Sequence, residues 1–335
     1  MLVFISHAGL GEVVPGGLGV TVFFFLSGFL ITSLLRQEFA KTSDVSVKSF
    51  YIRRFLRLGP PLILTLLIAY GLVLAGVHRG GATISGFLAQ LFYFANYFAL
   101  FFDPTHVKVP YGTGVLWSLS VEEHFYLLFP IVFLLLARRY SAKAMMNIFI
   151  VTCGVVLAWR LYLAAQPGFF VDRVFLATDT RLDSILFGSI FALGFDVARA
   201  PAPASRMSTR DAVLFACGGL TLVATLVVRN EYFRNTLRYT LQGIAMMPLF
   251  YCAIVYADAP LFRPLNWAWL RRIGVYSYSI YLIHYVVVYS VQRNGPFGGN
   301  LTLIFLTSLG ISLLFAAGVE RYLESRLRII RRRFH

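Results

Sequence analysis

Charge is scarce in this chain, and acidic charge is scarcest. Only 13% of its 335 residues are Asp, Glu, Lys or Arg, and 15 acids face 30 bases. A water-soluble domain carries roughly a quarter charged residues, so the composition excludes an ordinary soluble fold. Cysteine is equally sparse. Cys153, Cys217 and Cys252 lie in separate apolar segments, with neither metal-ligand nor redox spacing, and read as small hydrophobes. That excludes a disulfide framework, and no metal site is expected. Sequence repeats, low-complexity tracts and hydrophilic linkers are also lacking. The most linker-like stretch, 198–210, is too short to separate domains. The chain therefore reads as one integral domain over 1–335.

What is present is hydrocarbon. Hydrophobic residues make up 58% of the chain, aromatics 16%, and the mean hydropathy is +0.73. A bilayer core of about 30 Å needs about 20 apolar residues per helix. Windows of that length recur at 18–35, 59–77, 83–102, 119–137, 144–165, 182–197, 211–228, 240–257, 273–291 and 300–319. The expected fold class is all-α, a polytopic integral membrane bundle of about ten transmembrane helices. Met1–Leu10 spans only about 15 Å as a helix. It has no basic n-region or cleavage pattern, so it is not a signal peptide but the back half of a truncated first helix.

The net charge of +15 is concentrated at 36–57 and in the tail after Arg326, and basic loops favour the cytoplasmic side. The same residues suit contact with anionic lipid. Nucleic acid is not an expected partner, because no soluble module exists to bind it. With 36–57 and the tail both inside, 138–143, 198–210 and 258–272 also fall inside, and one span between 58 and 119 is surplus. The segment 83–102 carries Gln90 and Asn96 among its aromatics and is expected to dip or lie in the interface rather than cross. Counting the N-terminal fragment then gives ten spans with both ends cytoplasmic.

Ionisable groups inside apolar spans are costly and persist where they face a protein interior or a water-filled cavity. Here they are His7, Glu122, Glu123, His124, Arg181, Asp183 and His284. The imidazole of His7, with an ordinary pKa of about 6.5, is a usable base at neutral pH, or a helix-end histidine satisfied by a carbonyl. Arg54 and Arg57 are three apart and share a helical face. Ser118, Glu122 and Phe125 or Tyr126 fall on one stripe, with Glu123 and His124 pointing elsewhere. Arg181 and Asp183 are two apart, cannot face each other on a helix, and each need a partner, so a buried interhelical pair is expected. Ser277, Tyr281 and His284 form a second polar stripe, a substrate-facing wall, a network behind the site, or a packing stripe.

Ordered blocks carry a resemblance. They are Ile5-Ser6-His7 with Gly17–Thr32, Phe50–Pro60 with its Arg-x-x-Arg at Arg54 and Arg57, Trp117–Pro130, Thr180–Gly188, Tyr276–His284, and Arg321–Glu324. Taken in order over nearly the whole chain, they resemble membrane-bound acyltransferase family three, bacterial enzymes that O-acylate surface glycans and some small molecules. Arg326 stands where the family's closing block has proline. The family also has an arginine upstream of its first-helix histidine, and the matching position precedes Met1.

The resemblance implies transfer of an acyl group, often acetyl, from cytoplasmic acyl-CoA to a hydroxyl, in a multi-pass protein of the bacterial inner membrane. It implies acyl-CoA as co-substrate with no resident cofactor, and a carbohydrate or lipid-linked acceptor. Any periplasmic transferase working with it would be a separate chain. His7 would be the base or a transient acyl carrier. Glu122, which matches Trp-Ser-Leu-x-x-Glu, would orient that imidazole or bind acceptor hydroxyls, or pair with an arginine. Arg54 and Arg57 would meet CoA phosphates, for which arginine forks are suited, or act as cytoplasmic anchors as Arg53 does. Arg181 would face the donor or acceptor channel. Ser118, Tyr281 and His284 would line the substrate side, while His124 would lie in the interface and Glu324 would be structural. A proton-coupled transporter of a glycan precursor or small anion would also need intramembrane ionisable groups, but no two halves of the chain look alike. An inactive relative is the third reading.

Overall fold

In a computed structural model of the chain, residues 1–11, 13–197, 200 and 203–334 are described, so the linker-like stretch 198–210 lies partly outside the described residues. The fold is all helix. No named strand occurs among the described residues, only an isolated antiparallel bridge between Gly80 and Pro110. In chain order the helices are α1 (Leu2–Ile5, continued by a π-helical turn, Ser6–Leu10), α2 (Gly16–Thr42), α3 (Val47–Leu74), α4 (Ile84–Leu91), α5 (Ala95–Phe101), α6 (Trp117–Ala137), α7 (Ala142–Ala164), α8 (Val171–Leu176), α9 (Thr178–Gly194), α10 (Thr209–Val227), α11 (Glu231–Asn235), α12 (Leu237–Val255), α13 (Ala268–Asn294), α14 (Leu301–Val319) and α15 (Ser325–Arg331).

Among the described residues, seven helical stretches are long and apolar enough to cross a membrane: Gly16–Thr42, Val47–Leu74, Thr113–Ala137, Ala142–Ala164, Thr209–Val227, Ala268–Asn294 and Leu301–Phe334. Helices α9 and α12, of 17 and 19 residues, occupy two further expected spans without joining that set. The protein is a multi-pass membrane bundle. The segment 83–102 does not form one helix. It breaks between α4 and α5, where Tyr93 takes a φ of 60°. Gln90 turns inward and is buried, accepting from the Tyr70 hydroxyl at 3.2 Å and donating to Thr113 at 2.7 Å. An amide needs such partners in hydrocarbon, and meeting them holds the segment against its own unit.

The chain divides into two compact units. The first comprises residues 1–19, 46–127 and 272–335, the second residues 20–45 and 128–271. In the first unit, α13 is the central post. Its residues from Tyr278 to Val288 are mostly buried, packing Ile280 and Val288 with Phe4, Ala8 and Ala316, and Ile283, Val286 and Val287 with Ala69 of α3. The C-terminal tail returns to α3, where Arg53 donates to the Phe334 carbonyl at 2.5 Å.

In the second unit, α7, α9 and α12 pack together and α10 lies on α12. Helix α10 buries only Gly218 and Thr225, and leaves Leu220, Val223 and Val227 exposed. Such an apolar face needs no cover in lipid, whose tails are as apolar as leucine. The α2 residues of this unit run parallel to α9. Thr21 accepts from Arg181 at 3.2 Å near one end, and Arg36 meets Asp196 at 3.7 Å near the other. Between those ends, Gly28 and Gly188 let the two backbones touch. A Cβ on Gly28 would lie 1.9 Å from the Ile185 carbonyl oxygen, and one on Gly188 1.9 Å from that of Phe25. The opposing atoms are backbone and cannot swing aside. Gly28→Leu should therefore prevent this crossing from forming, and size-exclusion chromatography in detergent should show loss of the monodisperse folded protein. A variant that elutes and melts as the parent does would show that the helices can separate at no cost.

Candidate active site

The first unit gathers most of the polar residues singled out from the sequence. Helix α1 widens into a π turn at Ser6–Leu10, a distortion often found at functional positions. Gly9 closes the turn at φ 110°, in the region only glycine enters without cost. A Cβ there would also meet Leu301 Cδ2 at 2.6 Å. Next to this break, His7 is half-buried, with its ring stacked on Tyr285 at 4.1 Å between centroids.

His7 Nδ1 lies 2.9 Å from Nε2 of His284, across 277 residues of sequence. His284 is 1% exposed, and its own Nδ1 lies 2.6 Å from the Tyr281 carbonyl. Phe4 packs its ring 5.7 Å from the His284 ring. No hydrogen-bond partner of His7 Nε2 occurs among the described residues. One turn before His284 on α13, the Tyr281 hydroxyl stands 2.7 Å from Ser118 Oγ on α6, and both reach the Val115 carbonyl, at 3.0 and 3.3 Å.

Helix α6 buries Ser118, Glu122, Phe125 and Tyr126, the residues of the expected stripe, but Trp117, Leu119, Ser120 and Val121 are buried with them, so this end of the helix is enclosed on all sides. Glu122 is 3% exposed, and its charge reaches the hydroxyls of Tyr278 and Tyr281. His7, His284, Tyr281, Ser118 and Glu122 thus sit around one stretch of α13. The group hydrogen-bonded to the His7 ring is His284, while Glu122 acts on the tyrosines of the same helix.

The arginine pair divides its work. Arg54 is half-buried, with its guanidinium 4.5 Å over the Tyr126 ring and close enough to Glu123 to interact electrostatically. Arg57 is exposed and faces the charges of Glu324 and Arg331 in the tail. Glu324, expected to be structural, lies among the charges of Glu320, Arg57 and Arg331. The neighbouring Glu123, one of the ionisable groups in this apolar span, also turns inward. Its Oε1 is buried with no hydrogen-bond partner among the described residues. Above it, burial, then the Glu123 carboxylate, push the pKa of Tyr93 up, so this hydroxyl stays protonated beside Tyr278. His124 packs with Phe94 and Tyr97.

Ser277 leaves the expected stripe. It is exposed and donates to the Gly274 carbonyl at 2.7 Å. Between Arg263 and Ser277 no residue is buried, because the packed part of α13 begins only at Tyr278. Position alone put Ser277 on the right face, but below the level at which that face meets anything.

Arg181 belongs to the second unit and is fully buried. Its guanidinium lies 3.7 Å over the Tyr239 ring, with Phe24 at 5.5 Å, and it donates to Thr21. Asp183 pairs with Arg160 of α7, not with Arg181. Two parallel hydrogen bonds of 2.7 Å join a guanidinium and a carboxylate that are both 0% exposed. The same guanidinium donates to the Thr180 carbonyl at 2.7 Å and to Thr240 at 2.6 Å. Arg160 lies in the apolar run of α7, before its last turn, and long cationic side chains in such helices usually reach for the interface. Only tertiary packing turns it inward.

The described residues contain no cluster of His, Cys, Asp or Glu fit to hold a metal ion. The model of the family described as the acyltransferase domain matches residues 2–321. The chain belongs to the acyltransferase domain family. Among curated members, the peptidoglycan O-acetyltransferase OatA of Listeria monocytogenes is 28% identical over 301 residues, which is 84% of this chain and 46% of that protein. The O-acetyltransferase OatA of Staphylococcus aureus is 27% identical over 339 residues, 97% of this chain and 55% of that one. The chain spans about half the length of the curated relatives it matches. No solved structure matches it significantly. Within the family match lie both histidines of the dyad, the Arg54–Arg57 pair and Glu122.

Proposed function

We propose that this chain is a membrane-embedded O-acetyltransferase of the bacterial inner membrane. It takes an acetyl group from cytoplasmic acyl-CoA and passes it to a hydroxyl of a cell-surface glycan, peptidoglycan being the first candidate. The observation that carries this reading is the His7–His284 contact on the polar face of α13, in a chain whose curated relatives are named O-acetyltransferases. Those names supply the acetyl group and the glycan. The imidazole of His7 supplies the chemistry.

In this reading, His7 Nε2 removes the acceptor hydroxyl proton as that oxygen attacks the thioester carbonyl. The carbon–oxygen bond forms, the carbon–sulfur bond breaks, and the proton passes from the imidazolium to the departing CoA sulfur. The products are the acetyl ester and free CoA, with the imidazole restored. Glu122, Tyr281 and Ser118 form the polar wall beside this centre and offer hydrogen bonds to acceptor hydroxyls. Arg54 and Arg57 lie in the basic segment assigned to the cytoplasm and hold CoA phosphates there. Arg181, expected from the resemblance to face substrate, is fully buried over the Tyr239 ring in the second unit and has a packing role there. Where the glycan lies beyond the membrane, a separate periplasmic transferase would complete delivery.

Each charge-assisted contact is worth about 1.5–3 kcal/mol. Arg57→Ala should therefore raise KM for acyl-CoA by about ten- to a hundredfold with kcat little changed. Steady-state kinetics over a range of acyl-CoA concentrations would measure this, and an unchanged KM would remove Arg57 from donor binding. The function itself is tested by mass spectrometry of muropeptides and other surface glycans from cells with and without this gene. The expected result is loss of an acetyl mass from one glycan class. Identical acetylation in both strains would contradict the proposal.

A further inference from the structure

We propose that His284 is a positioning residue that fixes the tautomer of His7, so that Nε2 of His7, and not Nδ1, carries the basic lone pair. This rests on the reading of His7 as the base. One atom in this chain of contacts has a fixed role. A backbone carbonyl can only accept a hydrogen bond. His284 Nδ1 lies 2.6 Å from the Tyr281 carbonyl, so that nitrogen carries the proton. Neutral imidazole has one protonated and one bare nitrogen. His284 Nε2 is therefore bare and can only accept. It faces His7 Nδ1 at 2.9 Å, so His7 Nδ1 must donate. The bare nitrogen of His7 is then Nε2.

The alternative arrangement is closed at both ends. Moving the His7 proton to Nε2 would set two lone pairs against each other across 2.9 Å. Relieving that by turning over the His284 tautomer would aim a lone pair at the Tyr281 carbonyl. Packing prevents the rings from rotating out of the arrangement, because Tyr285 stacks on His7 and Phe4 packs against a His284 that is 1% exposed. When His7 takes the hydroxyl proton on Nε2, its Nδ1–H remains bonded to His284, now as a charge-assisted hydrogen bond, so the dyad stabilises the imidazolium as it forms. An imidazole held in the correct tautomer by a partner on its far nitrogen is a recurring requirement of base catalysis.

The test uses the whole chain reconstituted in bilayers, with the parent, His284→Leu and His284→Gln compared. Leucine fits the apolar pocket but accepts nothing. Glutamine places an amide oxygen near the former Nε2 and can still accept from His7. His284→Leu should lower kcat by about 100-fold or more, with KM for acyl-CoA within about threefold of the parent. His284→Gln should recover kcat to within about tenfold. Nitrogen-15 spectra of histidine-labelled protein, with His7 assigned as the signal lost in His7→Gln, should show neutral His7 protonated at Nδ1 in the parent and in His284→Gln. In His284→Leu the Nε2-protonated form should appear.

Parental kcat in His284→Leu, equal loss in both variants, or a parental His7 protonated at Nε2 would each overturn the proposal. Failure of the underlying reading looks different. There His7→Gln itself would remain active, while the spectra could still report the tautomer.

Discussion

His7→Ala should lower acyl transfer by about 10²–10⁴-fold, the range that a positioned general base contributes, while leaving an inserted, folded protein. The side chain is half-buried and its loss removes one hydrogen bond, that to His284, and the ring contacts with His284 and Tyr285. The residues that anchor α1 are its neighbours Phe4 and Ala8, which are buried in the cluster with Ile280, Val288 and Ala316 and are untouched by the substitution. Stability should therefore change far less than turnover. His7→Gln separates the two contributions. It can keep a hydrogen bond to His284 but has no basic nitrogen, so it should be as inactive as alanine and closer to the parent in stability. The measurement is acetyl incorporation into acceptor alongside thermal unfolding in detergent. Turnover within a few-fold of the parent in either variant would place the base elsewhere.

Asp183→Ala should destabilise the second unit by about 3–5 kcal/mol, the cost of leaving a buried charge without its partner. Arg160 cannot escape to water. It is 0% exposed and held by the Thr180 carbonyl and Thr240 as well as by Asp183. Removing the carboxylate leaves a guanidinium in the interior, close to the already buried guanidinium of Arg181 over Tyr239. The double variant Arg160→Met/Asp183→Leu removes both charges and fills similar volume, so it should lie much nearer the parent than either single variant. Thermal unfolding of the four proteins in one detergent tests this as a double-mutant cycle. A single variant that unfolds with the parent would show that water or lipid headgroups already reach the pair.

Much of the architecture could be read from periodicity and length. The spans at 18–35, 144–165 and 211–228 correspond to α2, α7 and α10, and the polar residues Gln90 and Asn96 marked the segment that does not form one continuous helix. Gly28 and Gly188 both lie in the ordered blocks, but only the structure shows that their backbones touch. Pairings between distant helices were not legible. The stripe 281–284 announces a polar face on α13, but nothing local says that its histidine meets His7, 277 residues away, at 2.9 Å. Arg160 likewise has no local sign of its partner until α9 brings Asp183 to it. Ser277 shows the complementary failure, since helical phase predicts which face a residue lies on and not whether anything packs at that height.

The central claim is that this bundle moves an acyl group from CoA to a hydroxyl through His7. Its most direct test is purified protein in liposomes with radiolabelled acetyl-CoA and a glycan acceptor, measuring CoA release and label on the acceptor together. The account predicts equal, acceptor-dependent release and transfer by the parent protein, and neither by His7→Ala. Substrate uptake into the liposomes without CoA release, or undiminished transfer by His7→Ala, would contradict it.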